Sequence, residues 1–226
     1  MVVGGGSIGS IHMNYTKYRH LAIERAKAPP TATQLQIIET ELGAQLPPAF
    51  KQYLEAANGG YLDYIIEVPT ETGQSEMLSF CDLFSTDIDT FRAGTFVGEI
   101  RLEREHTNIP RGVLPFARDG GGSIVYLDLS QEGSGRVVAF VEGLPEWAGK
   151  RTESAFIELA SSFDEYVDKL KIDLDDIVTH LETGVTTLVH VAATEEWLAI
   201  ALPNWQNNSS LLHAMQAARE RLGNAL

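Results

Sequence analysis

The chain has 226 residues, 44% of them hydrophobic, enough for one ordinary domain with a smaller addition, which excludes a wholly disordered chain. Asp and Glu number 31 against 17 Lys and Arg, for a formal net charge of -14. Such a field disfavours nucleic-acid phosphates and anionic lipid and favours a basic protein partner, although acidity serving solubility alone is the other reading. Cys81 is the single cysteine, so an internal disulfide and a zinc site built on several thiolates are excluded. Its neighbours Phe80 and Leu83 make it a packing residue rather than a nucleophile. No apolar run reaches bilayer length and the N-terminus lacks signal-peptide character, so a cytoplasmic location is expected.

Residues 1–12 are Gly-rich and aperiodic and end at His12-Met13, which reads as an expression leader. Thr33 is placed to cap a helix with Leu35, Ile38 and Leu42 on one face and Gly43 at its end. A second helix starts at Pro47-Pro48, carries Phe50, Tyr53 and Leu54, and stops at Asn58-Gly59-Gly60. Tyr61 to Val68 and Met77 to Leu83 read as strands separated by Thr72-Gly73. Asp87 to Phe91 is a short helix candidate, and Phe96 to Glu105 fits either strand or helix. Val113 to Ala117, Ser123 to Leu129 and Arg136 to Glu142 follow with tight links, which implies an antiparallel meander. Ser154 to Lys171 returns to helical spacing, with Phe156, Leu159, Phe163, Val167 and Leu170 as the expected buried stripe. Beyond it lie only helix-like segments, Leu174 to Leu181, Thr186 to Leu202 and Ser209 to Leu222, broken at Pro203 and Asn207-Asn208.

Three stretches, in order, carry a resemblance. They are Glu41-Leu42-Gly43 through Leu46-Pro47-Pro48-Ala49-Phe50-Lys51-Gln52-Tyr53-Leu54 to Asn58-Gly59-Gly60; Ile109-Pro110 through Leu114-Pro115-Phe116-Ala117-Arg118-Asp119-Gly120-Gly121-Gly122 to Val125-Tyr126-Leu127-Asp128; and Ile157-Glu158-Leu159-Ala160 with Ser162-Phe163-Asp164-Glu165-Tyr166. Over roughly residues 33 to 171 the chain resembles the SUKH superfamily, whose Smi and Knr group holds yeast cell-wall regulators and bacterial immunity proteins. Two positions depart from the pattern: Ser123 stands where many members have an acidic residue, and Phe140 where the family has a tryptophan. The resemblance implies an α+β domain with a central, mainly antiparallel sheet and packed helices over 13–173, leaving 174–226 as a helical C-terminal extension. It also implies inhibition of a toxin, often a nuclease, by protein binding, with no turnover and no cofactor; separately, His20, His106, His180, His190 and His213 are scattered at spacings that do not suggest ligands, so no metal site is expected.

The residues themselves leave several readings side by side. Asp119 before Gly120-Gly121-Gly122 could hold a metal or, through the glycines, a phosphate, but a turn between two strands is the simpler role for it and for Asp128. A hydrolase built on Asp119, Asp128 and His106 lacks an evident nucleophile and oxyanion site. No Lys or Arg occurs between Lys51 and Arg92, whereas Glu55, Asp63, Glu67, Glu71, Glu76, Asp82, Asp87 and Asp89 accumulate there. Those side chains either share a face that attracts a basic partner or are a solvated surface. Among the tryptophans, Trp147 and Trp197 are weaker anchor candidates, and Trp205, after Pro203 in a polar break, is the better candidate for exposure, with packing still its leading alternative. The partner-binding set is therefore Glu67, Glu71, Glu76, Asp82, Asp87, Asp89, Asp119 and Trp205. The function expected is an immunity protein that docks on a basic toxin, with a non-catalytic regulatory scaffold as the alternative.

Overall fold

The computed structural model describes residue 18 and residues 21–69, 75–88, 92–143 and 152–223. The first 17 residues, with the expected leader, lie outside this set, as do Glu71, Thr72-Gly73, Asp89 and Trp147. Contacts divide the chain into two compact units, one over Ile23–Leu170 and one formed by Tyr18–Ala22 with the chain from Lys171 on.

In the first unit β1 (Ile23–Glu24) precedes two helices, α1 (Ala32–Leu42) and α2 (Pro48–Ala56). Thr31, not Thr33, caps α1: its hydroxyl accepts from the Gln34 N–H at 3.2 Å and its own N–H donates to the Gln34 side chain at 2.8 Å. Pro29-Pro30 holds the approach extended, so the reciprocal cap forms at the first residue after it and Thr33 falls inside the first turn. Pro48 opens α2, which buries Phe50, Tyr53 and Leu54.

The two apolar runs that follow each split into two strands. They give β2 (Gly60–Leu62) and β3 (Ile66–Pro69), then β4 (Ser75–Leu78) and β5 (Asp82–Leu83). β3 and β4 pair only with each other as a two-stranded ribbon. The ambiguous stretch is a helix, α3 (Phe96–His106), because Thr95 caps it and Phe96, Ile100 and Glu103 recur on its buried side.

The expected meander is present as β6 (Val113–Arg118), β7 (Ile124–Asp128) and β8 (Arg136–Val141). The long helix expected from Ser154 is instead a strand, β9 (Ala155–Ala160), and a short helix, α4 (Phe163–Lys169). Ser162 sets the break. Its hydroxyl accepts from the Glu165 N–H at 3.2 Å while Glu165 accepts from the Ser161 N–H at 2.8 Å, which starts a helix there and leaves 155–160 to complete the open edge of β8. Phe156, assigned to the buried stripe, is in consequence 66% exposed.

Seven strands form one antiparallel sheet in the order β1-β2-β5-β6-β7-β8-β9. Phe50 of α2, Phe116 of β6 and Phe163 of α4 meet edge to face with centroids 4.9 to 5.8 Å apart, joining both helices to the sheet. The architecture is α+β with a mainly antiparallel sheet and packed helices, as expected.

The second unit is helical: α5 (Leu174–Thr179) running into a π turn (His180–Gly184), α6 (Leu188–Ala201), a 3-10 turn (Trp205–Asn207) and α7 (Ser209–Gly223). Leu181, Val191, Leu198, Leu211 and Met215 surround Trp205 in its core. Trp205 is 2% exposed, which corrects its place among the partner-binding candidates in favour of the packing alternative. The 3-10 turn after Pro203 folds the ring back between α6 and α7, where it buries far more apolar area than solvent exposure allows.

Candidate functional site

Strand register sorts the sheet residues into rows. One row, Leu83, Ala117, Val125 and Ala139, is 8%, 0%, 0% and 0% exposed and faces the core. The row beside it points the other way and crosses the whole sheet: Glu24, Tyr61, Asp82, Arg118, Ile124, Phe140 and Phe156. At about 4.8 Å per strand it is about 29 Å long. Carboxylates mark one end and aromatic rings the other, with the Phe140 and Phe156 centroids 5.2 Å apart.

The acidic candidates do not form one face. Glu67 lies opposite Met77, and Glu76 lies opposite Val68, which puts the two carboxylates on opposite sides of the β3–β4 ribbon. Asp87 is paired with Lys27. Asp82, directly across from Arg118, sits 3.8 Å from its guanidinium, and Arg118 also reaches the buried Glu99 at 3.5 Å. Glu71 and Asp89 lie outside the described residues. Charge segregation along the chain is thus partly cancelled in space by cations from distant segments: Asp87 meets Lys27, and Asp82, which shares the open row with Glu24, meets Arg118.

Asp119 caps its own turn, accepting from the Gly121 and Ser123 N–H groups at 2.7 and 2.8 Å. Of the three glycines there, only Gly122 takes a positive φ, +103°, so the left-handed requirement falls on one residue rather than three. Ser123 is buried and its hydroxyl accepts from the Glu142 N–H at 3.1 Å, tying the turn to β8. Asp128 stands at the other end of β7, about 13 Å of strand from Ile124. It accepts from the Ser130 N–H and hydroxyl and from Arg136 Nε and Nη2 at 2.6 to 3.2 Å. Asp119 and Asp128 are therefore separate turn residues and not a carboxylate pair. His106 is exposed at the end of α3. Among the described residues no three His, Cys, Asp or Glu side chains are grouped as metal ligands.

Two features were not anticipated from sequence. Asn58 is 3% exposed and joins three segments: its Nδ2 donates to the Ala28 carbonyl at 2.6 Å, its Oδ1 accepts from the Thr86 N–H at 2.7 Å, and its carbonyl accepts from the Lys27 N–H at 2.9 Å. The second is a pocket of about 550 Å³ at the aromatic end of the open face. It is lined by Tyr126, Val138 and Phe156, by Asp128, Arg136 and Glu158, and by the Thr107–Pro110 segment after α3. Tyr126 donates to buried Glu103 at 2.8 Å, and burial together with that carboxylate holds its phenol well above the ordinary value, so this lining residue stays neutral. Alternation in β7 and β8 was the sequence signal for which side chains share this face; the pocket needed β9 beside them.

Among the described residues no helix is long and apolar enough to cross a membrane. No curated protein matches the chain. The SMI1 / KNR4 family (SUKH-1) matches residues 29–169, a span that begins just before α1 and ends with α4, so it takes in both helices of the hairpin, α3, the meander and the strand-helix closure described above. With well over half its length inside that match, the chain belongs to the SMI1 / KNR4 (SUKH-1) family.

Proposed function

We propose that this protein is an immunity protein that binds and neutralises a basic toxin without catalysis, using the outward row of the sheet as its docking surface. The observation that carries the reading is the contrast between adjacent rows: one is sealed into the core, the other presents Glu24, Asp82 with its partner Arg118, Phe140 and Phe156 on paired strands. Rings on a rigid scaffold release apolar area on contact, and flanking carboxylates speed and orient the approach of a cationic partner. The net charge of -14 adds long-range attraction.

Docking needs no reacting group, and the polar side chains one would recruit for hydrolysis, Asp119 and Asp128, are engaged in turn geometry. A regulatory scaffold acting on an endogenous protein would use the same surface, and the family match accommodates it. Co-expression with the product of the neighbouring gene separates the readings. A toxic neighbour that co-purifies with this chain and loses toxicity supports immunity; a deletion strain that grows normally among its kin, with no toxic partner captured, overturns it.

A further inference from the structure

We propose that the pocket on β7, β8 and β9 receives an arginine side chain of the bound partner, with the guanidinium stacked on Phe156 and paired with Glu158. The inference rests on the docking role given above and adds which chemical group the surface selects.

Charge counting inside the pocket decides the sign of the ligand. Arg136 is the lining cation, and it is already committed: Nε and Nη2 bond Asp128 at 3.2 and 3.1 Å, and Nη1 contacts Glu158 at 3.5 Å. Two carboxylates against one guanidinium leave one negative charge, so an anion would meet a spent cation and a repelling rim. Glu158 is the carboxylate with capacity left. Its side chain is 53% exposed and its one contact among the described residues is that long one from Arg136, whereas Asp128 is 8% exposed and saturated by Ser130 and Arg136.

Shape selects arginine over lysine. Phe156 projects from the edge strand with its ring 5.2 Å from Phe140 and 6.3 Å from Tyr126, a flat apolar wall beside Glu158. A guanidinium is planar, weakly hydrated and able to stack on such a ring while bonding a carboxylate through two nitrogens; an ammonium offers a strongly hydrated point charge instead. Val138 and Tyr126 accept the aliphatic stem. The volume of about 550 Å³ lies within the span of about 300–1,000 Å³ usual for ligand clefts and admits the side chain with part of its flanking backbone.

The probe is a capped tripeptide, acetyl-Leu-Arg-Leu-amide, with its citrulline counterpart as the uncharged isostere, titrated into the full chain and followed by backbone amide shifts. The arginine peptide is expected to shift the amides of Tyr126, Val138, Phe156 and Glu158. It should bind about fivefold more tightly than the citrulline peptide at low salt, a margin of the size expected for one partly exposed ion pair. Glu158→Gln should remove that margin, and Phe156→Ala, at a position exposed enough to leave the core untouched, should weaken both peptides. Equal binding of the two peptides, shifts centred on the Asp82 end, or no shift at all would overturn the assignment.

The same variants in the co-expression assay keep the two readings apart. If the toxin complex survives Glu158→Gln with Phe156→Ala undiminished, the pocket assignment fails and the immunity reading stands. If the arginine peptide binds as described but no toxic partner exists, the immunity reading fails and the pocket stands.

Discussion

Replacing Gly133 by alanine tests whether the pocket rim is held as the geometry requires. Gly133 has an ordinary negative-side backbone, so strain is not the issue; space is. A Cβ there would sit 1.9 to 2.2 Å from the Asp128 carboxyl atoms. Asp128 cannot retreat without loosening its bonds to Ser130 and to Arg136 Nε and Nη2. Losing the charge-assisted pair costs about 1.5–3 kcal/mol. Glycine to alanine at a compatible position instead stabilises by about 0.4–1 kcal/mol through the unfolded chain. The net expectation is a loss of about 1.5 kcal/mol, which would speed native-state hydrogen exchange of the β7 and β8 amides about tenfold. Amide exchange is the suitable assay because it reads the β7 and β8 backbone directly, whereas Trp197 and Trp205 both belong to the helical unit. Gly120→Ala is the control, since nothing lies within 4 Å of its added carbon and its φ is not positive; it should be neutral or slightly stabilising. If Gly133→Ala matches or exceeds wild type in protection, the account of a rim clamped around Asp128 is wrong.

Asn58→Ala removes one donor and one acceptor bond between buried segments and should destabilise the first unit by about 2–3 kcal/mol, read as faster exchange at Thr86; unchanged protection there would contradict the joining role. Arg221 donates to the Leu181, Glu182 and Val185 carbonyls that end the π turn, at 3.0 Å for Leu181 and 3.1 Å for Val185. Arg221→Met should therefore destabilise the helical unit by about 2 kcal/mol, read as faster hydrogen exchange of the π-turn and α7 amides. Burial pushes Glu39 up, but bonds from Lys51 and the Leu46 N–H outweigh it, and the Arg101 bond lowers Glu41, so both folded values lie below the ordinary 4.5. Depressed carboxylates stabilise the fold above 4.5 and lose that contribution as pH falls through their folded values, so urea resistance should hold above pH 4.5 and decline below it. Lys51→Met with Arg101→Met should flatten the decline, and an unaltered acid limb would contradict the assignment.

Where structure and sequence expectation differ, a nearby capping signal outcompetes the longer periodic pattern. Phe156, Leu159 and Phe163 have helical spacing, yet the reciprocal bonds of Ser161, Ser162 and Glu165 start the helix later, and that Ser-x-x-Glu pattern was readable in advance. Thr31 with Gln34 is the same case at α1. Trp205 differs, because whether a ring after a proline break turns outward or inward depends on α6 and α7 closing around it.

By itself the sequence determined the helix hairpin before Asn58, the β6–β8 meander, the turn roles of Asp119 and Asp128 and the excess of negative charge, since caps, turns and periodicity act within a few residues of one another. Only the tertiary structure decided that Asp82 and Asp87 would meet Arg118 and Lys27, that Glu67 and Glu76 would part, and that Phe156 would stand beside Glu158 at an open pocket. Those outcomes join residues far apart in the chain, where register and strand order set the neighbours and no local rule reaches.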